Sequence, residues 1–520
     1  MVRYLREFTS VTLSCLLLSI ISLYVFDLDG INRQHSVLPK QLQPFRPLPI
    51  RLANSLGYLL DRFHLLPIIL PLDEKKLIHT ACSQAQTSAL VLFEGYSTNN
   101  IPKCPLLDDN NDVEWRVGFK KLLHALEKDS SLTLFGRYFA SQQIGDALKR
   151  RALVQYYWLI HHEWKKEIIK APIFIVGLPR TGTTFLQELL GQDESLRTTK
   201  MWELMEPVPP PPSPSDARIS TSVMNRISQV QWNLDQYKRL APGLDAWHPI
   251  HSLRPEECIL TLASTFDSQQ YSATYPVKSY NEWLHSHKNH TYAMNWHKKI
   301  LQTLQSSVTS SYPNETKRQW VLKTPYYLPL LDDIRKTYPD ALIIHTHRNP
   351  EEVLASSASV HAKTFGIVSD DINLKQIGQE QINMQKIFLS KAMNSRKKWA
   401  IEKNNNNKQY QNKNFNVIDV HLKDLQQDTI KEIKNIFNTL LGRKLTDASE
   451  ALMKKWLKLN KRNKHGTHTF NKKDFHIQVD NDELFKEYKK QFQTSNADDN
   501  SNNEIDIGED SNDRKQRSEL

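Results

Sequence analysis

Cysteine is scarce in this chain of 520 residues. There are four, Cys15, Cys82, Cys104 and Cys258, and no pair has metal-ligand spacing. A zinc-stapled or disulfide-dense fold is excluded. One disulfide among Cys82, Cys104 and Cys258, or buried free thiols, both stay open. No internal repeat is present, so a solenoid is excluded as well. No basic run is interleaved with aromatics, which argues against nucleic acid as a partner. One absence is local. Gly177 and Gly182 have the phosphate-loop spacing G-x-x-x-x-G, but Thr183 stands where a magnesium-ATP enzyme carries its lysine.

What is present suffices for a sizeable core: 39% hydrophobic residues, with 11 Trp, 18 Tyr and 19 Phe. The net charge of +11 suits an anionic cofactor, anionic glycans or a membrane face. The length allows one large α/β domain with additions, or two domains. Residues Phe8 to Phe26 form one uncharged run, about 19 residues against the ~20 that span a bilayer. Arg3 and Arg6 precede it and Asp27 and Asp29 follow, which places the rest of the chain in the lumen. Residues 1–27 are therefore read as a cytoplasmic tip and signal-anchor transmembrane helix of a single-pass Golgi or ER membrane protein. A cleaved signal peptide is the alternative. Two glycosylation acceptors, Asn289 and Asn314, agree with lumenal exposure.

Residues 28–72 read as a stem, with an amphipathic stretch near Leu52 to Leu66 that packs on the domain or on the membrane. Helical spacing dominates 73–170, a helical preface to a core over 171–494. Asn404 to Asn407 read as a loop, and the acidic tail 495–520 as disordered. Within the core, Ile173 to Val176 predict a buried strand, 177–182 a tight loop and Phe185 to Leu190 a helix. That arrangement is an anion cradle, because loop amides and a helix N-terminus face one point. Further strands are predicted at Trp320–Lys323, Ala341–His345 and Val417–His421. Helices are predicted at Glu256–Phe266, Trp296–Ser306, Glu351–Val360 and Thr429–Leu441. Strands alternating with helices imply an α/β fold, a P-loop-like parallel sheet flanked by helices, with ligands at the carboxyl ends of the strands.

Three pieces carry a family resemblance: Pro179-Arg180-Thr181-Gly182-Thr183-Thr184, Leu322-Lys323-Thr324-Pro325, and Arg348 with Ser356 eight residues on. The chain resembles the sulfotransferases that use 3′-phosphoadenosine 5′-phosphosulfate. Met201-Trp202-Glu203, Arg254-Pro255-Glu256-Glu257-Cys258 and Lys464-His465-Gly466-Thr467-His468-Thr469-Phe470 are similar to a broad subgroup familiar from bacterial sequences. The likeness runs from about residue 73 to 493. It departs from the family pattern at Thr181, where serine is commoner, at Thr467-His468, and in the asparagine insertion.

The resemblance implies sulfuryl transfer from that donor to a hydroxyl of a glycan, lipid or protein, with no metal. Arg180, Thr181, Gly182, Thr183 and Thr184 would hold the 5′ end of the donor, and Arg348 and Ser356 its 3′-phosphate. Lys464 would lie near the nucleotide. Lys323 and Arg180 would neutralise the leaving phosphate. Glu203 would be the general base, as membrane-anchored members of the wider family carry a glutamate at about this offset; His248 is the alternative base. Glu256 is a further alternative base, unless it and His248 shape the acceptor pocket; in the late loop that holds His465 and His468, His468 would lie near the donor or acceptor. Two other readings remain: a P-loop nucleotide phosphotransferase, which would need the lysine absent at Thr183, and a non-catalytic lumenal binding protein on the same scaffold.

Overall fold

The computed structural model describes residues 38–494 apart from 40–41, 94–95, 109–112, 212–220, 243, 287–288, 312–317, 405–415, 461–470, 480 and 493. The uncharged run Phe8 to Phe26, Asn314, Lys464 with its loop, and the tail 495–520 lie outside the described residues. Among the described residues, no helix is long and apolar enough to cross a membrane.

Five parallel strands make one sheet in the order β2-β3-β1-β4-β5. They are β1 Ile173–Gly177, β2 Leu196–Thr198, β3 Gln319–Lys323, β4 Leu342–His347 and β5 Asn416–His421. The central strand β1 is buried throughout, as expected when helices cover both faces of a parallel sheet. Its side chains alternate. Phe174 and Val176 enter the larger core, where the Phe174 ring lies 5.0 Å from Tyr327 and 5.2 Å from Tyr338. Ile173 and Ile175 enter the opposite cluster with Val321, Ile344, Ile433 and Phe437. The register sets Ile175 beside Lys323 and Gly177 beside Thr346, so the ends of β1, β3 and β4 meet at one edge.

The helices that matter here are α1 Leu48–Arg62, α2 Glu74–Leu92, α3 Leu134–Ile160, α4 Thr183–Leu190, α5 Met201–Met205, α6 Thr221–Leu240 and α7 Pro350–Val368. Helix α1, in the predicted stem, packs on the body: Asn54 Oδ1 accepts the N–H of Phe135, and Gly57 lies against Leu134. Cys82 of α2 is joined to Cys104, which leaves Cys258 as a buried free thiol.

Two predicted elements need correction. The helix expected over Glu256–Phe266 is helical only at Ile259–Ala263. The N–H of Glu256 donates to Thr199 O and that of Cys258 to Lys323 O, so this stretch is held against its neighbours before a helix can start. The helix expected to stop at Val360 runs on to Val368.

Candidate active site

The loop between β1 and α4 is a tight cradle with little room for side chains. A Cβ on Gly177 would meet Thr346 Oγ1 at 2.2 Å, and one on Gly182 would meet Leu422 Cδ1 at 2.7 Å. Gly182 has φ +90°, the left-handed region that glycine enters without cost. Arg180 also sits there, at φ +66°, which costs a non-glycine residue roughly 1–2 kcal/mol. The strain is held from both sides. Arg180 Nε donates to Ser356 Oγ at 3.2 Å, and Arg348 Nη1 donates to the Arg180 carbonyl at 3.1 Å. Arg348 is also braced by Glu352 at 2.6 Å. Burial, and then the like charge of Arg348, push the Arg180 pKa down. Two guanidinium groups beside the start of an eight-residue helix make a place that an anion would relieve.

At the neighbouring strand end, Lys323 is 1% exposed. Its Nζ donates to Glu257 Oε1 at 2.8 Å and to Thr184 Oγ1 at 3.1 Å. Glu257 also accepts from Thr324 Oγ1 at 3.0 Å. Pro179, Arg180, Thr183 and Thr184 border a cavity of about 470 Å³, and Glu256, Glu257 and His248 line it too. His248 Nε2 stands 3.5 Å from Glu256 Oε1. Burial opposes charge on both, yet the pair prevails. Glu256 and Glu257 push the His248 pKa up, and His248 with Lys323 brings Glu256 down to about 2.

Glu203, the base expected from the sequence, faces away from the cavity. Met201 and Met205, four residues apart on α5, line the cavity; Glu203 lies between them on the other side of the turn. One of its oxygens accepts from Arg197 at 3.1 Å and the other from the N–H of Lys200 at 2.9 Å, so it caps its own helix. Glu203→Gln is expected to lower stability by about 1–3 kcal/mol while turnover stays at the parent level. Thermal melts beside initial rates check this; loss of turnover at unchanged stability would return the base to Glu203.

Thr181, expected at the donor, is 1% exposed and is occupied within the loop. It donates to Leu178 O at 2.7 Å and lies 2.6 Å from Thr346 Oγ1. Ser356 meets Arg180 rather than Arg348. Asn289 is exposed, while the Thr291 hydroxyl of its triplet donates to Asp333 at 2.9 Å. The sequence marks Glu257 only as part of a motif, a double carboxylate beside Cys258, and assigns it no role. Away from the cradle, His345, His347 and Asp419 bring ligand atoms within 4.8 Å of one another. Arg396 donates to His345 at 3.1 Å and to Asp419 at 2.8 Å, so two of the three share a guanidinium.

Residues 172–447, from β1 past β5, match a family model described as "Sulfotransferase family". The chain belongs to the sulfotransferase family. This sulfotransferase is similar to the crystal structure of sulfotransferase STF1 from Mycobacterium tuberculosis H37Rv, at 27% identity and a TM-score of 0.60, over 79% of this chain and 97% of that one. Sulfotransferase STF9 from Mycobacterium avium shares the fold at 20% identity and a TM-score of 0.65, over 81% of this chain and 97% of that one. No curated protein matches the chain.

Proposed function

We propose that this sulfotransferase moves a sulfuryl group from 3′-phosphoadenosine 5′-phosphosulfate to a hydroxyl of a glycan, lipid or protein. The observation that carries the reading is the convergence of Arg180, Arg348 and Ser356 on one side of the cradle with Lys323 on the other. That spread of charge fits a molecule with two separated anionic ends. The bound donor would supply an activated sulfuryl group on a leaving phosphate. The backbone N–H groups at the start of α4 would hold the 5′ end, and Arg348 with Ser356 the 3′-phosphate.

Lys323 would place its charge on the oxygen that bridges phosphate and sulfur. His248, held by Glu256 in the cavity wall, would take the acceptor proton. The acceptor oxygen–sulfur bond forms as the sulfur–oxygen bond to the phosphate breaks, in line, and the electron pair leaves with the phosphate.

A base of this kind works when neutral. With the His248 pKa raised, kcat/KM is expected to climb with pH through a value above 6.5, and His248→Gln should remove that limb. Stability runs the other way. The His248 contribution is complete below 6.5 and is lost as pH rises through the folded value, whereas that of Glu256 is present above 4.5 and is lost as pH falls towards 2. An unchanged ascending limb in His248→Gln would assign the base elsewhere.

The reading extends to a membrane-anchored enzyme with its catalytic domain in the Golgi or ER lumen. The uncharged run Phe8 to Phe26, the exposed Asn289 and the Cys82–Cys104 disulfide support it, since disulfides persist in oxidising compartments. The donor assignment is tested by thermal melts with 3′-phosphoadenosine 5′-phosphate against magnesium-ATP. Stabilisation by the first is expected; stabilisation by the second alone would favour a nucleotide phosphotransferase.

A further inference from the structure

Beyond its reacting end, the cavity is walled by Met201, Leu234, Tyr237, Leu260, Val360 and Phe388; Gln142, Asp146, Asn233 and Gln269 also reach it, but most of its surface is apolar. Its volume of about 470 Å³ falls in the range of sites for single small ligands, roughly 300–1,000 Å³. A sugar chain carries a hydroxyl on most of its carbons. Against these walls many would lack partners, at about 1–3 kcal/mol each. A molecule with a hydrocarbon body and one hydroxyl instead gains from burial along its whole length.

An independent observation lies on the outer surface. Seven of the nineteen large apolar side chains exposed among the described residues fall between residues 45 and 69. Phe63, Ile68 and Ile69 are 62%, 71% and 52% exposed. Helix α1 meets the body through Asn54 and Gly57, and the helical period sets Leu48, Leu52 and Leu59 on its far side. None of these three leucines joins the core clusters. Apolar side chains gathered this densely on a surface mark a contact site. Arg51 and Arg62 are exposed on the same helix, which suits lipid headgroups. The chain that leads into this surface contains the uncharged run Phe8 to Phe26, so a bilayer is the occupant that the neighbouring sequence favours.

The surface and the cavity share a wall. Phe135, whose N–H binds Asn54, stacks on Phe139 at 6.0 Å, and Phe139 stacks on Tyr237 at 6.1 Å. Phe139 and Tyr237 both line the cavity. We propose that the acceptor is a lipid-soluble alcohol drawn from the bilayer, and that residues 45–69 seat the cavity on that bilayer. This rests on the sulfuryl-transfer reading above.

The test uses the full chain and a fluorescent sterol, dehydroergosterol, as the probe. The parent is expected to bind it both from detergent micelles and from phosphatidylcholine vesicles. Leu260→Trp and Val360→Phe, which fill the cavity, should abolish binding while 3′-phosphoadenosine 5′-phosphate still raises the melting temperature. The double variant Phe63→Asp/Ile68→Asp should slow uptake from vesicles by about ten-fold or more and leave binding from micelles unchanged. The proposal is overturned if the parent does not bind the sterol, if both filled variants bind it as the parent does, or if vesicle uptake ignores the aspartates. If the nucleotide fails to stabilise the parent, the sulfuryl-transfer reading fails instead, separately from any sterol result.

Discussion

Arg180→Ala is expected to weaken binding of 3′-phosphoadenosine 5′-phosphate by roughly ten- to a hundred-fold, the loss of one charge-assisted contact worth about 1.5–3 kcal/mol. The effect should be large because, among the described residues, the neighbouring cations are already engaged. Arg348 is held by Glu352 and by the Arg180 carbonyl, and Lys323 by Glu257. A thermal melt reads it directly. Ligand at a hundred times Kd stabilises by about 2.7 kcal/mol; after a hundred-fold loss the same concentration gives only about 0.4 kcal/mol. Arg180→Gly separates charge from backbone. It relieves the left-handed strain at φ +66° and should still lose the ligand effect. Undiminished stabilisation in both variants would show that the anion is held elsewhere.

The second large effect belongs to Lys323. Replacing it with methionine is expected to lower kcat by about 10²–10³, the usual loss when one preorganised group facing developing charge is removed. Donor affinity should change less, because the loop, Arg348 and Ser356 remain. Stability should fall too, since the Glu257 side chain, 18% exposed, would lose its cationic partner. The double variant Lys323→Met/Glu257→Gln tests the division of roles: it should regain stability without regaining turnover. Turnover restored by the second change would mean that Lys323 acts on folding alone.

These residues also show what was legible in the sequence. Strand β1 announces itself as a β-branched apolar run and β3, β4 and β5 as short apolar stretches, and the glycine spacing marks the loop between β1 and α4. The edge strand β2 has only Leu196–Thr198, too short to show alternation, and was missed. Local pattern can place Arg180, Lys323 and Arg348 at strand ends, and the sheet then brings those ends together. It cannot give the direction of a side chain on a one-turn helix. Glu203 looked like a base beside an aromatic, but the same turn that sends Met201 and Met205 to the cavity sends Glu203 to Arg197. Glu257 was hidden for the opposite reason. Its partner Lys323 is 66 residues away, and only the packing of the 256–258 segment on the β3 end joins them. The Cys82–Cys104 pairing likewise depends on how α2 packs, which spacing alone does not encode.

The most direct measurement follows radiolabelled sulfate from 3′-phosphoadenosine 5′-phosphosulfate into product, with the full chain in membranes that supply the acceptor and with no magnesium added. The parent and Glu203→Gln are expected to move label into a lipid-extractable product, while Lys323→Met leaves it on the donor. Label that stays on the donor with the parent, or that moves equally well with Lys323→Met, would contradict the assignment of this cradle to sulfuryl transfer.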